Sequence, residues 1–122
     1  MKAYKAFDAN WKCRDYQFAV GQTYTHDGPV KLCNSGFHAC EAPLDVWNYY
    51  SPIDGKFAEV DLDGVSDEKG DDTKRVGKSL TIKAALTIAG LVSAQVEWVR
   101  QNAHGKSIAE GYYSTAASSG NY

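Results

Sequence analysis

The sequence lacks an excess of charge of either sign and lacks a long apolar run. Its 13 basic and 15 acidic residues leave a net charge of -2, so the chain has no overall basic field of the kind that attracts nucleic acid. The most apolar stretch, residues 84–99, is interrupted by four polar residues, Thr87, Ser93, Gln95 and Glu97. A membrane-spanning helix needs about 20 mostly apolar residues. We therefore expect neither a direct nucleic-acid partner nor a membrane.

Cysteine is also scarce. The three cysteines, Cys13, Cys33 and Cys40, are an odd number, and the opening residues MKAYKAFDANWK lack the apolar core of a signal peptide. Disulfides form mainly in exported proteins. The sequence therefore predicts reduced thiols and a cytoplasmic protein.

What the sequence does contain is the pattern of one mixed domain. Its 122 residues are 43% hydrophobic, which suits a single globular unit. Residues 2–7 and 57–62 alternate polar and apolar side chains, as strands do, and the second run places Ala58, Val60 and Leu62 on an inner face. Residues 16–32 predict two short strands joined by a tight turn, and residues 75–83 predict a further strand.

Two helices are also expected, a short one between the predicted strands and a main one after the last strand. Pro43 suits the first turn of a short helix over about residues 43–50. A main helix over about residues 86–102 has an apolar face that we predict lies on the sheet, formed by Ile88, Leu91, Val92, Val96 and Val99. The sequence thus predicts an α+β fold, with a twisted, largely antiparallel sheet covered by the main helix and a short second helix.

The last residues follow a different pattern. In GYYSTAASSGNY, Gly111 recurs as Gly120 and Tyr113 as Tyr122, a period of nine residues. Such repeats stack only when several copies follow one another. We expect a single domain over residues 1–108, with residues 109–122 as the start of a Ser/Thr/Ala/Gly repeat tract that is truncated or flexible.

Four segments carry a resemblance to a known group of proteins: MKAYKAF, CNSGFHACEAPLDVWNYYSP, FAEVDLDG and YSTAASSGNY. Together they resemble a family of small uncharacterised phage and prophage proteins, in which a domain with the pattern GFHAC-x-x-PLDV-x-x-YY precedes Ser/Thr/Ala/Gly repeats. The resemblance implies an anti-defence role in the cytoplasm of a bacterial host. On this interpretation the protein binds and inhibits a host protein, such as a CRISPR nuclease, without catalysis and without a cofactor. A structural module of a phage repeat protein is a further alternative.

A metal site is the first chemical alternative. Cys33, His38 and Cys40, together with Cys13, are ligand types that zinc accepts. Their spacing lacks the Cys-x₂-Cys pair that is typical of zinc sites. We therefore predict no metal, and we expect buried structural cysteines and a hydrogen-bonded structural histidine instead.

An enzyme is the second alternative. The order of strand, short helix and strand from GFHA to FAEVDLDG resembles the central part of ADP-ribosyltransferase-like folds. That resemblance implies a nucleotide pocket lined by His38, Tyr49 and Tyr50, with Glu59 or Glu97 as the acid. Lys5 stands where those folds carry an arginine or histidine, and the buttressing Ser-Thr-Ser is absent. The sequence thus favours a protein without catalytic activity.

An acidic stretch supplies the predicted contact surface. Seven carboxylates lie between Glu59 and Asp72, with Lys69 as the one basic residue among them. Such a run is typical of a solvated loop, but it could also occupy a basic groove on a partner. The residues predicted to bind the partner are Asp61, Asp63, Asp67, Glu68, Asp71 and Asp72.

Overall fold

The computed structural model describes residues 1–33, 35–70 and 72–103. Within these ranges the chain forms strands, a 3₁₀ helix and an α-helix. The strands are β1 (Lys2–Phe7), β2 (Lys12–Cys13), β3 (Tyr16–Gln17), β4 (Thr23–Thr25), β5 (Phe37–Cys40), β6 (Lys56–Asp63), β7 (Lys74–Gly77) and β8 (Ser79–Leu86). The 3₁₀ helix spans Pro43–Asn48, and the main helix, α1, spans Ile88–Asn102.

Six of these strands form one antiparallel sheet in the order β4-β8-β6-β1-β5-β7, and β2 pairs with β3 in a separate hairpin. The centre of the sheet is the long pairing of β6 with both β1 and β8, and its register shifts at a bulge between Glu59 and Val60. The predicted α+β class, with a largely antiparallel sheet, one main helix and one short helix, is confirmed.

The two faces of the sheet follow the alternation in β1. Ala3 and Phe7 enter the larger core cluster, while Tyr4 and Ala6 enter a second cluster on the opposite side. Ala58, Val60 and Leu62 of β6 join the first cluster, as their spacing predicts. Successive side chains of a strand point to opposite faces, so both faces of this sheet are covered.

The second face is covered where the two helices meet the sheet. Val46 of the 3₁₀ helix and Leu91 of α1 are completely buried with Tyr4, Cys40 and Phe57. Helix α1 begins after Thr87, whose hydroxyl oxygen accepts a hydrogen bond of 3.0 Å from Gly90 N. This N-cap pairs one of the backbone N–H groups that a helix start leaves unpaired.

The predicted buried face of α1 is only partly right. Leu91 and Val99 are buried, but Ile88, Val92 and Val96 are 49%, 40% and 51% exposed. The buried stripe runs instead through Leu91, Ala94, Gln95, Trp98 and Val99. The helix packs against the 3₁₀ helix as well as against β8. Because of the contact with the 3₁₀ helix, α1 turns a different side inward from the one that its apolar residues predict.

The predicted hairpin in residues 16–32 does not form. Strand β3 pairs with β2, and β4 pairs with β8, so the two segments belong to different sheets. Between Val30 and Leu32 the chain makes only an isolated bridge, from Lys31 to Ser35. Phe18, which follows β3, packs edge-on against Tyr24 of β4, with ring centroids 5.0 Å apart, so the two segments meet in one aromatic cluster although they belong to different sheets.

The predicted repeat tract, residues 109–122, lies outside the described residues, as do the last residues of the predicted domain, 104–108. Over the part of the chain that the structure describes, no helix combines the length and the apolar character needed to cross a membrane.

Candidate functional site

The sheet opens between β1 and β5. The two strands are neighbours, but their register consists of the single pair Tyr4 and Cys40, whereas β1 pairs with β6 along its whole length. Both strands line a cleft of about 1020 Å³, together with the β2–β3 turn and the end of the 3₁₀ helix. Where two neighbouring strands lose their hydrogen-bonded pairing in this way, a concave space opens between them.

Lys5 occupies the floor of this cleft. Its side chain is 8% exposed, and its Nζ donates a hydrogen bond of 2.6 Å to the carbonyl oxygen of His38 across the opening. The same Nζ lies 5.7 Å from the ring centroid of Phe18. Burial is the largest effect on the Lys5 amine and lowers its pKa, although Cys13 and Cys40 act in the opposite direction. No salt bridge joins Lys5 to a carboxylate of the described residues.

His38 holds one wall of the cleft in place. Its Nε2 accepts a hydrogen bond of 2.8 Å from the backbone N–H of Cys33, a residue with a left-handed backbone at φ 62°. Burial, with the positive charges of Lys5 and Lys74, lowers the pKa of His38 to about 4. The imidazole is therefore neutral at pH 7, and its free lone pair fixes the strained turn at Cys33.

The three cysteines all line the cleft, but they do not form a metal site. Among the described residues, no group of three or more His, Cys, Asp or Glu side chains is arranged to hold a metal ion. Cys40 is 3% exposed, and burial raises its pKa to about 12. Because the thiolate is the reactive form of cysteine, Cys40 does not supply a nucleophile near neutral pH.

Two tyrosines form the polar wall of the cleft. Tyr49 donates a hydrogen bond of 2.6 Å from its hydroxyl to Asp72 Oδ2, and Lys74 Nζ lies 5.0 Å from the Tyr49 ring centroid. Burial and the Asp72 carboxylate raise the pKa of Tyr49 well above its usual range. Burial opposes ionisation of Asp72, but the hydrogen bonds from Tyr49 and from Lys74 N outweigh it and lower the Asp72 pKa. Tyr50 accepts a hydrogen bond of 3.3 Å from Arg14 N at its hydroxyl oxygen.

The structure brings together three of the four predicted pocket residues. His38, Tyr49 and Tyr50 line the cleft. Glu59, which was the predicted acid, lies on β6 opposite Tyr4 and is not among the lining residues. The alternative acid, Glu97, lies on α1, where it pairs with Arg100 at 3.8 Å.

The predicted acidic surface is divided between three environments. Asp61 and Asp63 lie 3.2 Å and 4.0 Å from the N-terminal amine of Met1. Asp67 and Glu68 are exposed, and Glu68 accepts a hydrogen bond of 2.9 Å from Leu32 N. Asp72 turns towards Tyr49, and Asp71 lies outside the described residues.

Sequence reasoning assigned no role in the cleft to its basic residues, Lys5, Arg14 and Lys74. A signal for Lys5 existed, because its position in the β1 alternation places it on the same face as Ala3 and Phe7, where a buried lysine is unusual. The sequence around Arg14 carries no such signal. The position of Arg14 depends on the folded β2–β3 turn, where its backbone is left-handed at φ 59°.

These features define an α+β domain with an open antiparallel sheet and a polar, aromatic-lined cleft at the sheet opening. A family model described as "Domain of unknown function (DUF7666)" matches residues 1–94. The chain belongs to this family. The matched range includes every residue that lines the cleft. Searches of the curated proteins and of the solved structures found no match.

Proposed function

We propose that this domain binds, in the cleft, a small anionic molecule that carries a planar aromatic group, such as a nucleotide. The observation that carries the proposal is the placement of Lys5, Arg14 and Lys74 around one cavity of about 1020 Å³, in a chain whose net charge is -2. Ligand sites of small molecules are usually clefts of about 300 to 1000 Å³. The size is therefore sufficient for a nucleotide.

The charges of the lining support an anion. Arg14 is exposed at the rim and Lys5 is buried at the floor, while Asp15 and Asp27 are the carboxylates that also line the cleft. Arg14 and Lys74 therefore offer charged hydrogen-bond donors inside the cavity, and the Lys5 amine adds N–H donors at its floor. Hydrogen bonds from lysine or arginine to a phosphate or carboxylate are stronger than neutral ones.

The aromatic side chains support a planar group. Tyr16 and Tyr49 are 46% and 44% exposed although they line the cleft. Tyr16 is held in place by an edge-on contact with Phe37, with ring centroids 5.6 Å apart. Stacking of a base on an aromatic side chain contributes about 1 to 3 kcal/mol, so an exposed ring fixed in this way favours a ligand with a π-face.

Titration calorimetry with adenosine monophosphate and with inorganic phosphate tests the proposal. Arg14→Ala and Lys74→Ala should each weaken the binding of both ligands at least about tenfold, because a hydrogen bond to a charged group is worth about 1.5 to 3 kcal/mol. Tyr16→Ala should weaken adenosine monophosphate and leave phosphate unchanged. Lys78→Ala is the matched control, since Lys78 is exposed and does not line the cleft. Equal binding by the control and by both cation variants would contradict the proposal.

We also propose a second function on the basis of the sequence. The protein would be a phage-encoded accessory protein that binds and inhibits a host defence protein, such as a CRISPR nuclease, in the bacterial cytoplasm. The exposure of Asp67 and Glu68 on the loop before β7 supports a contact surface there. The carboxylate of Glu68 is held by Leu32 N and by the Ser66 hydroxyl, and this order lowers the entropy that binding would cost.

A further inference from the structure

We propose that the Lys5 amine forms a reversible imine with the carbonyl group of a ligand in the cleft. This inference rests on the proposed function, and it narrows the ligand class to anionic aldehydes or ketones. Lysine amines that are desolvated in a pocket act as nucleophiles towards carbonyl groups in this way.

The geometry leaves the Lys5 nitrogen available for this reaction. The hydrogen bond to the His38 carbonyl oxygen, at 2.6 Å, uses one N–H of the amine. A neutral amine keeps a lone pair after this bond is made, whereas an ammonium ion in the same place would need partners for two further N–H groups. None of the ion pairs of the described residues includes Lys5, so no carboxylate there holds the amine in its charged form.

The surroundings of Lys5 favour the neutral amine. The side chain is 8% exposed and lies against the ring of Phe18. Burial is the largest effect and lowers the pKa of the amine, while Cys13 and Cys40 act in the opposite direction without reversing the shift. The lowered pKa raises the fraction of amine that can attack a carbonyl carbon at neutral pH.

The reaction needs no oxidant or reductant. The nitrogen lone pair attacks the carbonyl carbon, a C–N bond forms, and the π-electron pair of the C=O bond moves to the oxygen. A proton passes from nitrogen to that oxygen through solvent, which gives a carbinolamine. The remaining N–H proton and the hydroxyl group then leave as water, and a C=N bond forms. Addition of water reverses each step.

The cleft places the other parts of such a ligand. Lys5 lies on the floor, and Arg14 and Lys74 line the same cavity. An anionic group held by either of these cations keeps the carbonyl group of the same molecule inside the cavity. Holding two reactants together in this way raises the rate of an addition that is slow in free solution.

Pyridoxal phosphate is a suitable probe because it combines an aldehyde, a phosphate and a planar ring. The full-length protein is incubated with it at pH 7, reduced with borohydride to fix any imine, digested, and mapped by mass spectrometry. Because the Lys5 amine is desolvated and the phosphate of the probe is held in the same cavity, Lys5 should be the dominant labelled lysine, ahead of the exposed Lys78 and Lys83. Pyridoxine phosphate, which lacks the aldehyde, should compete and protect Lys5.

The outcomes separate the inference from the proposed function. Labelling at Lys5 that pyridoxine phosphate blocks supports both. If pyridoxine phosphate binds but the label is spread over surface lysines or lies only on Lys74, the imine is overturned and the proposed function stands. If pyridoxine phosphate does not bind and Lys5 is not labelled, both are overturned. Labelling of Lys5 that the competitor does not reduce also overturns the inference, because it does not depend on occupancy of the cleft.

Two variants complete the experiment. Lys5→Met keeps an apolar side chain of similar length, and it should lose the dominant labelled peptide. Lys78→Met, the matched change on the surface, should retain that peptide. The map of the unaltered protein decides the question by itself if Lys5→Met does not fold.

Discussion

The side-chain oxygen Oε1 of Gln95 accepts a hydrogen bond of 3.0 Å from the backbone N–H of Leu44. Leu44 lies in the first turn of the 3₁₀ helix, and Ala42, at its N-cap, provides no side-chain hydrogen bond. Helix starts leave backbone N–H groups without partners inside the helix. A residue from α1, 51 positions along the chain, therefore caps the short helix that forms part of the cleft wall.

Replacing Gln95 by alanine should destabilise the protein, because it leaves the half-buried Leu44 N–H without its partner. We expect a loss of about 1 to 3 kcal/mol in the free energy of unfolding, measured by urea denaturation. Gln101→Ala is the matched control on the same helix, since Gln101 is exposed and, among the described residues, its side chain bonds only to Glu97. Equal stability of the two variants would show that the cap contributes nothing.

The orientation of α1 predicts that substitutions at two neighbouring residues change the free energy of unfolding by different amounts. Leu91→Ala should lower it by about 2 to 5 kcal/mol, because the change leaves a cavity between the helices and the sheet. Val92→Ala should change it by less than about 0.5 kcal/mol, since Val92 is 40% exposed. Chemical denaturation of both variants measures the difference. A larger loss for Val92→Ala would mean that the helix faces the other way.

The half-buried His38 predicts a loss of stability in mild acid. The pKa of His38 is about 4 in the folded protein and 6.5 in the unfolded chain, so between these values the unfolded chain binds the extra proton. The stabilising contribution of neutral His38 is complete above pH 6.5 and is lost as the pH falls towards 4. Unfolding free energies measured at intervals across this range should therefore fall more steeply for the natural protein than for His38→Asn. Parallel curves would contradict this assignment.

The proposed partner surface predicts an effect of charge reversal on the exposed loop. The double change Asp67→Lys and Glu68→Lys should abolish capture of a host protein from a bacterial lysate, and added salt should slow the association of the natural protein. Asp72 is left unchanged because it holds the Tyr49 hydroxyl. Asp54→Lys with Glu97→Lys, at two exposed positions outside the loop, is the matched control, because it changes the net charge by the same amount. Retained capture by the loop variant would exclude this surface.

Much of the sheet could be predicted from short stretches of sequence. The alternation in residues 2–7 and 57–62 correctly predicted two strands and put Ala58, Val60 and Leu62 on one inner face, because the pleat of a strand sends successive side chains to opposite faces whatever else surrounds it. The α-helix was likewise predicted from a local pattern. His38, Tyr49 and Tyr50, which resemblance had suggested as neighbours, do line one cleft.

Contacts between distant segments decided the rest. The rotation of α1 depends on the 3₁₀ helix, which Gln95 contacts, and the cleft exists because β1 and β5 lose their pairing beyond Tyr4. Burial of Lys5 requires β5 to cross near its amine, and the placement of Glu59 away from the cleft follows from the pairing of β6 with β1.

The sequence by itself determined which side chains share a face of each strand, since that depends on local backbone geometry. Only the tertiary structure decided which faces meet, because that depends on packing between residues far apart in the chain.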